Sequence, residues 1–137
     1  MKNYQSDIDK LKPCFSIGSF ANLLNINQRT LRIYDEENIL NPKRTTSNRR
    51  MYSISDYNKA QLILFMTKNL ALNLSGVKII LLMLKTMDIS EENYLSKIKM
   101  LASKAKIDDL KQAENIYKTS KRGRKKKTKI KLFSTLR

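Results

Sequence analysis

The sequence predicts a mainly α chain: two short helices in close succession, then a small β-hairpin, then longer helices. Three observations predict it. Apolar residues recur at helical spacing from Ile17; a basic, turn-prone stretch after Pro42 breaks that spacing; helical spacing returns at Ile54 and continues to Tyr117.

Residues 1–14 read as a polar leader that includes Pro13. Ile17, Phe20, Ala21 and Leu24 then stand at i, i+3, i+4 and i+7, one face of a short amphipathic helix, with Ser16 as its N-cap. Asn27 caps a second helix expected over residues 28–37, and Ile26 with Leu31 suits a hydrophobic staple. Asn38 tolerates the left-handed conformation that stops helices, and Ile39 behind it can pack back. About three residues, Asn25 to Asn27, join the two helices, which is helix-turn-helix spacing. On the second helix Leu31 and Tyr34 share one side. Gln28 and Arg32 lie on a neighbouring side, with Arg29 further round. This donor-rich helix start suits reading of base edges in a major groove. An ordinary surface helix, with Arg29 and Arg32 paired to Asp35 or Glu36, explains the same residues.

Pro42 ends the helical pattern. The stretch KRTTSNRRMY then carries Lys43, Arg44, Arg49 and Arg50 around a Thr-Ser-Asn centre. It reads as a short hairpin, a wing that lays cations along a DNA backbone, or as a basic surface loop. Ser53 and Asp56 match a capping box for a helix from Ile54 to about Leu70, with Ile54, Tyr57, Leu64 and Phe65 inward. Ser75 caps a further helix to about Met87. Its run from Ile79 to Leu84 is apolar on nearly every side, so it is buried all round or meets another subunit. A last helix is expected from Ser90 to about Tyr117. Its seam of Leu95, Ile98, Ala102 and Ala105 is interrupted at Asp109 and resumes one residue out of phase at Leu110, Ala113 and Tyr117. The seam pairs with its copy in a dimer or folds back on its own domain. The dimer is preferred because helix-turn-helix proteins commonly read two half-sites.

Composition narrows the function. The 137 residues make one domain with room for an arm and a modest core. With 28 basic and 12 acidic residues the net charge is +16, which points to a polyanionic partner. Ten of those cations and no acid fall in residues 118–137, leaving +6 on residues 1–117 (16 − 10). The tail is expected to be disordered in isolation, with Lys121, Arg122, Arg124, Lys125, Lys126 and Lys127 as a nonspecific phosphate-binding arm. Arg122-Gly123-Arg124 also resembles the core of a minor-groove AT-hook, without the prolines usual around it. There is no histidine, and Cys14 is the single cysteine, so neither a metal site, a cofactor nor a disulfide framework is expected. Three glycines offer no phosphate-cradling loop, and no spacing suggests an enzyme. No apolar run approaches the roughly 18 residues of a membrane span. The polar N-terminus does not read as a signal peptide, so a cytoplasmic, nucleoid-associated protein is expected.

The stretch from Phe15 to Phe65 resembles the DNA-binding domain of the MerR family of transcriptional regulators. Phe15 to Gly18 matches the family's aromatic-Ser-Ile-Gly opening. Thr30 to Tyr34, followed by Asp35 and Glu36, matches its Thr-Leu-Arg-x-Tyr. Pro42 to Arg44 and Arg50 to Ser53 match Pro-x-Arg and Arg-x-Tyr-Ser. Asn38 stands where a glycine is usual. The segments TLRIYD, NRRMYS and NLSGVKIIL look most like the heat-shock repressor branch, with the nitrogen-metabolism repressors second. The resemblance implies a winged helix-turn-helix over residues 15–87, a dimerisation helix over 88–117, and a homodimer that represses from an inverted repeat in double-stranded DNA. It implies that Arg32 and Tyr34 hold phosphates and that Arg29 with Gln28 approaches base edges, with Thr30 a further DNA-binding residue. Arg50 and Tyr52 would be wing contacts, supported by Arg44 and Arg49. The acids after Tyr34 would orient the arginines. Many family members carry an effector domain or metal-binding cysteines, and neither is read here. A chaperone co-repressor is implied by the heat-shock branch. The alternative function is an architectural, excisionase-like DNA bender with low sequence preference.

Overall fold

The computed structural model describes residues 9–122. The expected leader up to Ile8 and the tail from Gly123, with Arg124 to Lys127, lie outside the described residues. The chain divides near residue 97 into two compact units.

The first unit opens with β1 (Phe15–Ser16), which runs directly into α1 (Ile17–Leu24). Ser16 caps α1 by accepting from the Ser19 amide, and Asn25 ends it in the left-handed conformation, φ 53°. The turn leads to α2 (Gln28–Glu36), capped by Asn27, whose Oδ1 accepts from the Arg29 amide at 2.9 Å. Asn38 is left-handed, φ 55°, and the chain folds back through a bond from the Ile39 amide to the Tyr34 carbonyl at 2.8 Å. Both caps and the stop thus agree with the sequence. Ile39 and Leu40 are buried behind the turn.

The hairpin is β2 (Lys43–Arg44) and β3 (Arg50–Tyr52), closed by a turn in which Asn48 takes φ 62°. β1 adds a third antiparallel strand, giving the order β1-β3-β2. Phe15 faces Tyr52 across one ladder and Arg44 faces Arg50 across the other. The sequence reading missed β1 because two residues carry no alternation to recognise.

Ser53 and Asp56 form the expected capping box at the start of α3 (Ile54–Leu64), with bonds of 3.1 and 2.9 Å. A π-helical turn, Phe65–Asn69, continues it to nearly the expected end. The inward face differs from expectation. Ala60, Leu62, Ile63 and Met66 are buried, whereas Ile54 is 44% exposed. α4 (Leu74–Thr86) begins ahead of the expected Ser75, because Asn73 accepts from the Gly76 amide at 2.8 Å. Only Val77 and Leu84 of α4 are buried, and Ile79, Leu82 and Met83 are 59–63% exposed. The alternative of a helix buried all round is therefore set aside.

The single last helix expected from Ser90 is instead a 3₁₀ turn, Glu91–Asn93, then α5 (Tyr94–Lys104) and α6 (Ile107–Arg122). Lys106, at φ 51°, separates the two helices. Asp108 and Asp109 in the first turn of α6 suit the positive end of a new helix. The phase slip in the apolar seam marks this restart.

The core centres on Phe20, Leu31, Ile39, Leu40, Tyr52, Ile63, Met66 and Val77, all fully buried. Phe20 stacks on Tyr52 with ring centroids 4.3 Å apart and planes 8° from parallel. This pair joins α1 to the central strand of the sheet. Among the described residues no helix is long and apolar enough to cross a membrane, and no cluster of His, Cys, Asp or Glu could hold a metal ion.

Candidate nucleic-acid interface

The candidate face is built from α2 and the wing. Burial of Leu31 and Tyr34 fixes the roll of α2. Gln28, Arg29 and Arg32 are consequently exposed, and Thr30 is half-buried in the first turn. Arg32 donates to Gln28 Oε1 at 3.4 Å, one turn back, so the two form a linked pair. The alternative of a surface ion pair does not occur: Asp35 is engaged with the wing, and among the described residues no ion pair joins Arg29 or Arg32 to Asp35 or Glu36.

Asp35 joins the two parts of the face. Its Oδ2 accepts from Arg44 Nη2 at 2.7 Å and from Arg50 Nε at 2.8 Å. Its Oδ1 accepts from Asn41 Nδ2 at 3.1 Å. The Asp35 side chain is only 13% exposed, so these bonds are made in partly dry surroundings, where charge-assisted bonds are strong. Burial alone would raise its carboxyl pKa, but the bonds from Asn41 and Arg50 and the charges of Arg44 and Arg50 bring it below the ordinary 3.8. A depressed carboxyl stabilises the fold above its unfolded pKa, and that contribution is lost only as pH falls through the lower folded value. Asp35 is therefore a carboxylate at neutral pH.

The wing arginines divide by exposure. Arg50 is 19% exposed and committed to Asp35. Arg44 is 38% exposed and also donates to the Asn48 carbonyl at the wing tip. Arg49 is exposed, and its amide is held by Thr45 Oγ1 at 3.1 Å. Two tyrosines expected on the face lie in the core instead. Tyr34 is 4% exposed, on the buried side of α2 with Leu31, and Tyr52 is fully buried, stacked on Phe20. Burial raises the Tyr34 hydroxyl pKa against an opposing hydrogen bond with Thr67, and it pushes Tyr52 to about 12. Tyr52 Oη has no hydrogen-bond partner among the described residues. Tyr52→Phe should leave the stability within about 1 kcal/mol of wild type, or raise it slightly, because it removes an unsatisfied buried hydroxyl. DNA affinity should be unchanged. Chemical denaturation and a binding isotherm check both, and a clear loss of affinity would return the hydroxyl to the face.

Sequence reasoning missed Asn41, and it expected the acids after Tyr34 to orient the arginines without singling out Asp35. The visible signal was an acid between arginines in a basic chain, but its partners lie nine and fifteen positions away along the chain. Of the expected tail residues, Lys121 lies over the Tyr117 ring at 4.7 Å. Arg122 ends α6.

A helix pair with an exposed polar face on its second helix, and a basic hairpin tied beside it, defines a winged helix-turn-helix protein. The chain belongs to the MerR HTH family of regulatory proteins, whose family model matches residues 15–84. It is 39% identical over 74 residues to the HTH-type transcriptional regulators GlnR of Bacillus anthracis and Bacillus cereus, covering 52% of this chain and 54% of theirs. The chain thus spans about half the length of these curated relatives. Among solved structures it is similar to the N-terminal part of MtaN, the Bacillus subtilis multidrug transporter activator. That match has a TM-score of 0.50 at 26% identity and covers 77% of this chain and 97% of that one. SkgA of Caulobacter crescentus shares the fold, with a TM-score of 0.54 at 18% identity, over 77% of this chain and 73% of that one.

Proposed function

We propose that the protein is a sequence-specific transcriptional repressor that binds an inverted repeat in double-stranded DNA as a homodimer. The observation that carries this is the exposed Gln28–Arg29–Arg32 face of α2, with the wing fixed beside it through Asp35. Arg29 and Gln28 would meet base edges, while Arg32, Arg44 and Arg49 would meet phosphates. The relatives' description as HTH-type transcriptional regulators supports control of transcription. A dimer seated on a promoter represses by occupying it.

Support for the dimer comes from α6. Leu110, Ile116 and Tyr117 are 45–69% exposed, an apolar row that water does not favour. The heat-shock branch rests on the three sequence segments quoted above, while the curated relatives matched are GlnR regulators. A chaperone co-repressor follows from that branch alone.

Arg32→Ala tests the reading. It should weaken binding to every duplex and make the salt dependence shallower by about one unit of log–log slope, one phosphate contact's worth. Fluorescence anisotropy at several salt concentrations measures both. Unchanged affinity and slope would remove α2 from the interface.

A further inference from the structure

We infer that Asp35 is the positioning residue of the DNA-binding face: its one carboxylate sets where the wing stands relative to α2. This rests on the DNA-binding reading above.

The ladder to β1 pins β3 at Met51 and Tyr52, but the outer part of the wing has little else to place it. In β2, Lys43 and Arg44 are both exposed, and residues 45–49 at the tip are exposed as well. Pro42 and Tyr52 are the buried residues at its two ends. A short hairpin without an apolar face is marginal in water. Apolar packing therefore holds the base of the wing, and polar bonds hold its arms.

Those bonds converge on Asp35. Arg44 and Arg50 are directly opposite across the β2–β3 ladder, so their side chains share a face and their charges repel. Asp35 Oδ2 lies 2.7 and 2.8 Å from their nitrogens, which turns that repulsion into a bridge. Arg44 extends the bridge to the tip through the Asn48 carbonyl, at 3.3 Å. Asn41 extends it to the loop after α2 by donating both to Asp35 Oδ1 and to the Asp35 carbonyl, each at 3.1 Å. One side chain of α2 thus ties down the loop, both strands and the tip. The wing's phosphate contacts then stand at a fixed distance from the base-reading side chains, as register on a duplex requires.

The charge of Asp35 makes this testable by sign. A carboxylate in a DNA-binding surface repels phosphate, so its neutralisation should tighten binding if electrostatics alone mattered. A positioning role has the opposite consequence for the preferred duplex. The experiment compares wild type with Asp35→Asn on a duplex enriched from a random pool and on its shuffled counterpart, over a range of salt. Asp35→Asn should bind the enriched duplex on the order of tenfold more weakly, about the worth of one base contact. It should bind the shuffled duplex as well as wild type or better. A variant that was merely less folded would lose affinity for both duplexes by the same factor. Amide hydrogen exchange of the free protein gives a second readout. Thr45, Asn48 and Arg49 should exchange faster in the variant, with α1 and α3 unchanged. Arg50→Lys, which keeps the charge and loses the Nε geometry, should reproduce the loss of preference. Wild-type preference or tighter binding to both duplexes, with unchanged wing exchange, would overturn the role of Asp35. A wild-type protein that does not distinguish the duplexes would overturn the DNA-reading proposal itself, and the positioning role with it.

Discussion

Phe20→Ala should lower the melting temperature by roughly 15–30 °C. Phe20 is fully buried between two aromatic neighbours, stacked on Tyr52 at 4.3 Å and tilted against Phe15 at 6.1 Å. Removing a buried phenyl ring costs about 3–5 kcal/mol, through lost transfer energy and the cavity left behind. A small domain commonly has only about 5–15 kcal/mol in all. Collapse cannot refill the space cheaply, because Phe15 and Tyr52 are held by the β1–β3 ladder. Loss of function should accompany loss of stability, since Tyr52 ends the strand that carries Arg50. Leu23→Ala is the control: Leu23 lies on the same helix but is 51% exposed. Thermal unfolding followed by circular dichroism should show a large shift for the first variant and little for the second. A shift of a few degrees for Phe20→Ala would mean that the aromatic stack is not the centre of the core.

Cutting the chain after Arg122 should reduce nonspecific DNA affinity by on the order of a hundredfold at near-physiological salt, and should flatten the salt dependence by several units. The cut leaves α6 whole and removes Arg124, Lys125, Lys126, Lys127, Lys129, Lys131 and Arg137, with no acid among the residues lost. Each phosphate that a cation neutralises releases counterions, so the loss falls on every duplex alike. Preference between an enriched and a shuffled duplex should survive, because the side chains proposed to read bases lie on α2. Isotherms at several salt concentrations measure slope and preference together. Loss of preference on truncation would move sequence reading to the tail.

Much of this architecture was legible in the sequence where local chemistry decides it. Ser16 and Asn27 could be recognised as caps, and Ser53 with Asp56 as a capping box, because each acts on a backbone group within three residues. Asn38 could be recognised as a stop because few residues take φ near 55° at low cost. What was hidden depends on distance or on burial. β1 exists because the central strand lends it hydrogen bonds, and the capping start of α4 lies with Asn73 rather than with Ser75. Tyr52 could be assigned to the wing from its motif, but not its burial against Phe20, which needs the packed sheet. The break at Lys106 left only a phase slip in the seam. Asp35 was visible as an oddity of charge, and its meaning came from partners brought together by the turn at Asn38 and the hairpin.

The most direct test of the central proposal is selection from a random duplex pool with the purified 137-residue protein at near-physiological salt. A dimeric, sequence-reading face should enrich an inverted repeat, bound more tightly than random duplex by a factor on the order of a thousand or more. Recovery of AT-rich duplexes with no repeat and no strong preference would contradict it. That result would favour an architectural DNA-bending protein whose basic tail does most of the binding.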